Sequence, residues 1–256
     1  MLVLRNANLL YCLIIFVFFV LSACSSTQHQ SVPATEQNEA ANKAIRQSYE
    51  RGRQIWNDSD LGANGRSCLS CHVNGEMTNA EKYPRYKHIL RTMATISMTH
   101  NFAVVNESKG EAWEIGSEDA NAIALFVQAL ANGKKMKMIR LGSIDDEWFT
   151  KGSAAFIDAS LGSNGKSCAT CHSLDGKMRK SNESGRGPDL KGIAAYYPRY
   201  SPNFKRVIIT EQQINYCITQ YMQGAPQKLD SELIVSLYYY LARKSEGTKI
   251  SVARFE

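Results

Sequence analysis

Apolar residues recur at three- and four-residue steps in four stretches of the chain, and this spacing predicts helices over about 42–56, 118–131, 146–157 and 231–244. The second and fourth show it most plainly, through Ile123, Phe126, Val127 and Leu130, and through Leu233, Leu237, Tyr240 and Leu241. Two other stretches differ. Residues 9–21 (LLYCLIIFVFFVL) are continuously apolar after a single Arg5, the length of a signal-peptide core and short for a membrane span. Residues 25–40 are rich in Ser, Thr, Gln and Asn, and they predict a flexible tether with His29 solvated.

Sliding the sequence over itself by 100 residues aligns Gly52–His72 with Gly152–His172, with ten of twenty-one positions identical. Further on the offset becomes 114, matching Tyr83-Pro84-Arg85-Tyr86 with Tyr197-Pro198-Arg199-Tyr200 and Gly110 with Gly224. The expected organisation is therefore a signal peptide over 1–23, a tether over 24–41, and two related helical domains over 42–140 and 141–256. In each, the first and last helices should cross, with Gly52 or Gly152 at the close approach and Trp56 or Phe156 filling the contact.

Composition changes this picture little. Hydrophobic residues make up 44% of the 256, enough for a packed core. The formal charge of +6 is a mildly basic surface with no dense Lys/Arg block, which argues against nucleic acid as a partner.

The seven cysteines carry the chemistry. Leu21-Ser22-Ala23-Cys24 resembles a lipoprotein cleavage site, which predicts lipid on Cys24 and a chain held at a membrane outside the cytoplasm, facing the periplasm. Cys68-Leu69-Ser70-Cys71-His72 and Cys168-Ala169-Thr170-Cys171-His172 are both Cys-x-x-Cys-His. One helical turn sets two thiols on one face, where they add to the vinyl groups of a porphyrin, with the adjacent imidazole under the iron. Zinc or a redox dithiol would use Cys-x-x-Cys, but not with His following at equivalent places of a repeat. Two covalently bound haem c groups are expected, held at Cys68, Cys71, His72, Cys168, Cys171 and His172. The loop Gly187-Pro188-Asp189-Leu190-Lys191-Gly192 should pack on the second haem's proximal side and orient His172; the first unit has no such loop.

A lone cysteine such as Cys217 is ordinarily an inert core residue. Over about residues 45–246, however, the chain resembles the dihaem A subunit of the bacterial sulfur-oxidising (Sox) system and the thiosulfate dehydrogenases. The resemblance rests on Ser-Cys-x-x-Cys-His, Tyr-Pro-x-Tyr, Ile-Asn-x-Cys ending at Cys217, Met222 and Gly224, and a closing Leu-x-x-Tyr-Leu helix. It implies two tandem small cytochrome c-like (class I) domains, mainly α, with His172 and Cys217 as ligands of a low-potential haem. It also implies a small cytochrome c subunit as a partner. Where those families carry Arg four residues before the cysteine this chain has Gln213, with Lys205 and Arg206 nearby.

By the offset of 114, Cys217 corresponds to Ala103, so the first haem needs another sixth ligand. His100, one helical turn earlier, is the leading candidate, and Met98, Met93 and His88 compete with it. Met136, Met138 and Tyr238–Tyr240 read as packing. Three functions fit: electron transfer to a periplasmic or membrane redox partner, oxidation of a sulfur compound with Cys217 as the catalytic residue, or a haem sensor open at the first iron.

Overall fold

The computed structural model describes residues 34–175 and 187–253. The leader and Cys24 lie outside them. The α-helices are α1 (Ala34–Asn57), α2 (Cys68–Cys71), α3 (Ile96–Ala103), α4 (Glu118–Ala129), α5 (Ser143–Ile157), α6 (Cys168–Cys171), α7 (Thr210–Tyr216) and α8 (Glu232–Arg243). The strands are β1 (Arg85–Lys87), β2 (Thr92–Ala94), β3 (Arg199–Ser201) and β4 (Arg206–Ile208). Among the described residues no helix is long and apolar enough to cross a membrane.

The four expected helices are present as α1, α4, α5 and α8, and their ends follow from local chemistry. Ser117 accepts from Ala120 N–H (3.3 Å) at the start of α4, with Glu118 and Asp119 favouring the positive helix end. Ser231 does the same for α8 through Ile234 N–H (3.4 Å), and Arg243 sits in its last turn. Asp58 and Asp158, directly after α1 and α5, cap the short 3-10 turns that follow by accepting from Asp60 and Ser160 N–H, both 2.8 Å.

Polar composition predicts a tether to residue 41, but α1 begins at Ala34. Ala, Glu, Gln and Lys in Ala34–Lys43 are good helix formers, so propensity extends the helix with little to bury. Residues 38–40 are accordingly exposed.

Helix α1 packs on α4, and α5 on α8. A Cβ on Gly52 would fall on the Ala122 carbonyl, and one on Gly152 on the Ser236 carbonyl, so both crossings need glycine. Trp56 packs on Phe126 (ring centroids 5.6 Å), and Phe156 on Tyr240 (5.5 Å). Each such buried aromatic contributes about 2 kcal/mol.

The two hairpins are an addition to what the hydrophobic pattern predicts, because three-residue strands are too short to display alternation. Tyr86 pairs with Met93 and Tyr200 with Val207, so the 114-residue offset holds strand for strand. It also holds for polar clamps. Asn101 donates to Trp113 O (2.7 Å) and accepts from Trp113 N–H (3.0 Å); Asn215 holds Gln227 in the same way (3.0 and 2.9 Å).

The repeats share one core. Buried Asn121 of α4 donates to Val207 O (3.1 Å) and Gln212 Oε1 (2.8 Å), and Gln212 donates back to Gly116 O (3.1 Å). The segment after α4 pairs with the C-terminal stretch, through Met136 N–H to Thr248 O and Ile250 N–H to Lys134 O, both 2.9 Å. Met136 and Met138 are buried there as packing.

Candidate functional site

In the first repeat, Ser67 caps α2 by accepting from Ser70 N–H (3.3 Å), and His72 N–H reaches back to Cys68 O (3.0 Å). This single turn brings Cys68 and Cys71 to one wall of a cleft of about 270 Å³. His72 lines the same wall, its ring 5.8 Å from that of Trp56. His72 Nδ1–H donates to Glu76 O (2.9 Å), which leaves Nε2 as the ligand atom.

His100 lines the same cleft, together with Phe102 and Ala103. Its Nδ1 is sealed from solvent with no described hydrogen-bond partner. Burial, and then the charge of His72, push its pKa down to about 4, so the imidazole is neutral and able to bind iron at ordinary pH. Met93 and Met98 do not line the cleft; Met93 is fully buried in β2. His88 lies between β1 and β2, against Tyr86 (5.2 Å).

The second repeat builds the same proximal side with different parts. Ser167 N–H donates to Thr170 Oγ1 (3.0 Å) at the start of α6, and His172 N–H to Cys168 O (2.9 Å). His172 Nδ1–H donates to Pro188 O (2.8 Å), the orienting role expected of the Gly-Pro loop. A Cβ on Gly187 would overlap the His172 ring, so only glycine lets the loop come this close. In the first repeat the Glu76 carbonyl replaces that loop, on a turn where Asn74, Met77 and Asn79 adopt positive φ. Enrichment in Asn and Gly over 74–79 was the available sequence signal.

Cys217 begins a π-helical turn, Cys217–Tyr221, directly after α7. Asn164 Nδ2 fixes the turn's end by donating to Tyr221 O (2.8 Å), and Asn64 does the same to Glu107 O in the first repeat. The Cys217 sulfur is close enough to Cys168 and Cys171 for charge on one thiol to disfavour charge on another. Burial raises its pKa, while the Gln213 amide, donating to its Sγ at 3.5 Å, opposes the rise. Burial also pushes the thiols of Cys68 and Cys168 up to about 11 and about 12. Arg206 is engaged elsewhere, donating to Gly116 O (3.0 Å).

Each site thus sets two cysteines and a carbonyl-oriented histidine near one further donor, an arrangement that fits a covalently held porphyrin iron taking two protein ligands. The family model described as SoxA/TsdA, cytochrome c domain, matches residues 51–136 and 151–250. The chain belongs to the SoxA/TsdA cytochrome c family. Its cytochrome c domains imply covalently bound haem c, and the fold is two tandem cytochrome c-like domains, mainly α.

Among SoxA/TsdA relatives, an L-cysteine S-thiosulfotransferase subunit SoxA of Hydrogenobacter thermophilus is 25% identical over 209 residues, 80% of this chain and 81% of that protein. The SoxA subunit of Pseudaminobacter salicylatoxidans is 34% identical over 91 residues, 36% of this chain and 28% of that one. A chain in the crystal structure of SoxXA from P. pantotrophus has the same fold, with a TM-score of 0.69 and 20% identity over 82% of this chain and 78% of that chain. The SoxA relatives support a cytochrome involved in sulfur oxidation.

Proposed function

We propose that this chain carries two haem c groups and passes single electrons between them during the oxidation of sulfur compounds. The observation that carries the proposal is the unequal donor pairing at two otherwise repeated sites: His100 in the same cleft as His72, and Cys217 near Cys168 and Cys171. Each haem, when bound, supplies one-electron oxidation and reduction. His72 and His172 would bind the irons through Nε2, with Glu76 O and Pro188 O fixing their tautomers. His100 offers a neutral donor suited to a relay. Cys217 offers a thiolate, which stabilises ferric iron and lowers the potential.

The proposal extends to the setting. The chain is exported by its 1–23 leader, lipidated at Cys24, and works on the periplasmic side; its partner is a small cytochrome c subunit, a reading supported by the fold shared with a chain of the SoxXA crystal structure. A second reading makes Cys217 itself the site of sulfur-compound oxidation. It is favoured by Gln213 Nε2, a neutral donor 3.5 Å from the sulfur, in position to hold an oxyanion oxygen.

Electron paramagnetic resonance of the oxidised protein tests the ligands: Cys217→Ala should remove one thiolate-type low-spin signal and leave a bis-histidine signal. An unchanged spectrum overturns the assignment. Mixing oxidised protein with thiosulfate, in the presence of the small cytochrome subunit, separates the two readings, because haem reduction is expected only of the enzyme.

A further inference from the structure

Between the repeats lies a cavity of about 10 Å³, lined by Ser97 of α3, Gln128 of α4, Thr210 and Glu211 of α7, Tyr238 of α8, and Tyr197 just before β3. That volume holds about one water molecule. Glu211 is 2% exposed, and among the described residues no lysine, arginine or histidine lines its cavity. A buried carboxylate without a cation is costly, so this one has an unusual place in the fold.

Its position relates it to both haem sites. Under the 114-residue offset Glu211 corresponds to Ser97, and both line the cavity, which therefore lies where the two repeats face each other. Ser97 precedes His100 by one helical turn, and Glu211 lies six residues before Cys217. At 1.5 Å per residue these are separations of about 4.5 and 9 Å along the helices. The cavity therefore borders both helices that lead to the candidate ligands, α3 to His100 and α7 to Cys217.

We propose that Glu211 is a redox-linked proton-binding site: it takes a proton from solvent as an electron enters the protein from a one-electron donor, and returns it when the electron leaves. The carboxylate becomes a carboxylic acid, so that the added negative charge is balanced inside the protein. This rests on the two-haem assignment above. The chemistry of the cavity agrees. Burial raises Glu211 to about 7, opposed by its backbone hydrogen bond and by Thr95. The titratable groups facing it are Tyr238 and Tyr197. Burial holds Tyr197 at about 12 and, with the charge of Glu211, Tyr238 higher still, so both stay protonated near neutrality. The other lining groups, from α3 and α4, are neutral.

Potentiometric titration of the full-length holoprotein, followed by haem absorbance from pH 5.5 to 8.5, tests this. In the wild type at least one midpoint potential should fall as pH rises, by an amount equal to a roughly three- to tenfold change in the reduced-to-oxidised ratio. In Glu211→Gln the fall should be lost, with haem content and ligand spectra unchanged. Independently of any variant, electrochemical reduction of the wild type at pH 7 in weak buffer should take up a fraction of a proton per molecule, read by an indicator dye. Flat potentials with no proton uptake, or a slope that persists in Glu211→Gln, overturn the proposal. A haem-content assay giving other than two haems per chain overturns the assignment beneath it instead.

Discussion

The two repeats share strand register, Asn clamps, glycine crossings and the Cys-x-x-Cys-His turn, yet they diverge along the element that carries the further donor. Where α3 has Ser97, His100 and Ala103, the second repeat has Glu211, Ile214 and Cys217. Between His100 and Cys217 the candidate donor shifts by one helical turn, while both repeats keep a helix followed by a π-helical turn around it. A scaffold that fixes helix position tolerates such an exchange because ligand identity is a side-chain property, whereas the cleft is a backbone one. On the ligand assignment proposed above, the first repeat would offer its iron an imidazole and the second a cysteine sulfur.

The largest expected effect comes from removing these donors. His100→Ala should abolish the bis-histidine signal and leave the thiolate-type signal intact, and Cys217→Ala should do the reverse. Loss of both signals in either variant would show that the sites are not separable. Next, the helix crossings should respond alike: Gly52→Val and Gly152→Val each force a side chain into a facing carbonyl and should cost about 3 kcal/mol in urea unfolding. A much smaller loss at one would break the symmetry of the comparison.

Glu211 distinguishes the repeats by pH. Its folded-state pKa is raised from 4.5 to about 7, so its contribution to stability is full below pH 4.5 and is lost as pH rises through 7. The wild type should lose about 2 to 3 kcal/mol relative to Glu211→Gln between pH 4.5 and 8, measured by denaturant unfolding across that range. Parallel curves would place the carboxyl in solvent.

A smaller change is expected from Gln213→Leu. Without the amide the thiolate donates more charge to iron, and the second haem's potential should fall by the equivalent of about 1 kcal/mol, roughly a fivefold change in the redox ratio. The first haem should be unaffected, because Thr99 occupies the matching position. Smallest of all is the exposed Arg51–Asp119 pair, bidentate at 2.7 Å. Arg51→Ala should cost about 0.5 kcal/mol, less in high salt, by thermal melting.

Much of this was legible in the residues. The Cys-x-x-Cys-His turns, the repeat and the four long helices follow from spacing alone, because each depends on contacts within a turn or on a periodic apolar face. Gly52 and Gly152 were readable as crossings for the same reason. Less visible were the hairpins, whose strands are too short to alternate, and the carbonyl of Glu76, whose role is independent of its side chain. The helical start at Ala34 was obscured by a polar composition that suits both a tether and an exposed helix.

The sequence by itself determined that there are two equivalent Cys-x-x-Cys-His turns and that only one repeat has a cysteine at the later position. It also supplied the candidates His100, Met98, Met93 and His88 without ordering them in space. Tertiary structure decided that His100 shares the cleft with His72, that Cys217 lies near Cys168 and Cys171, and that Glu211 is sealed where the repeats meet. These are contacts between residues far apart in the chain or between the two repeats. Local spacing carries no information about such contacts, because they depend on how whole helices pack.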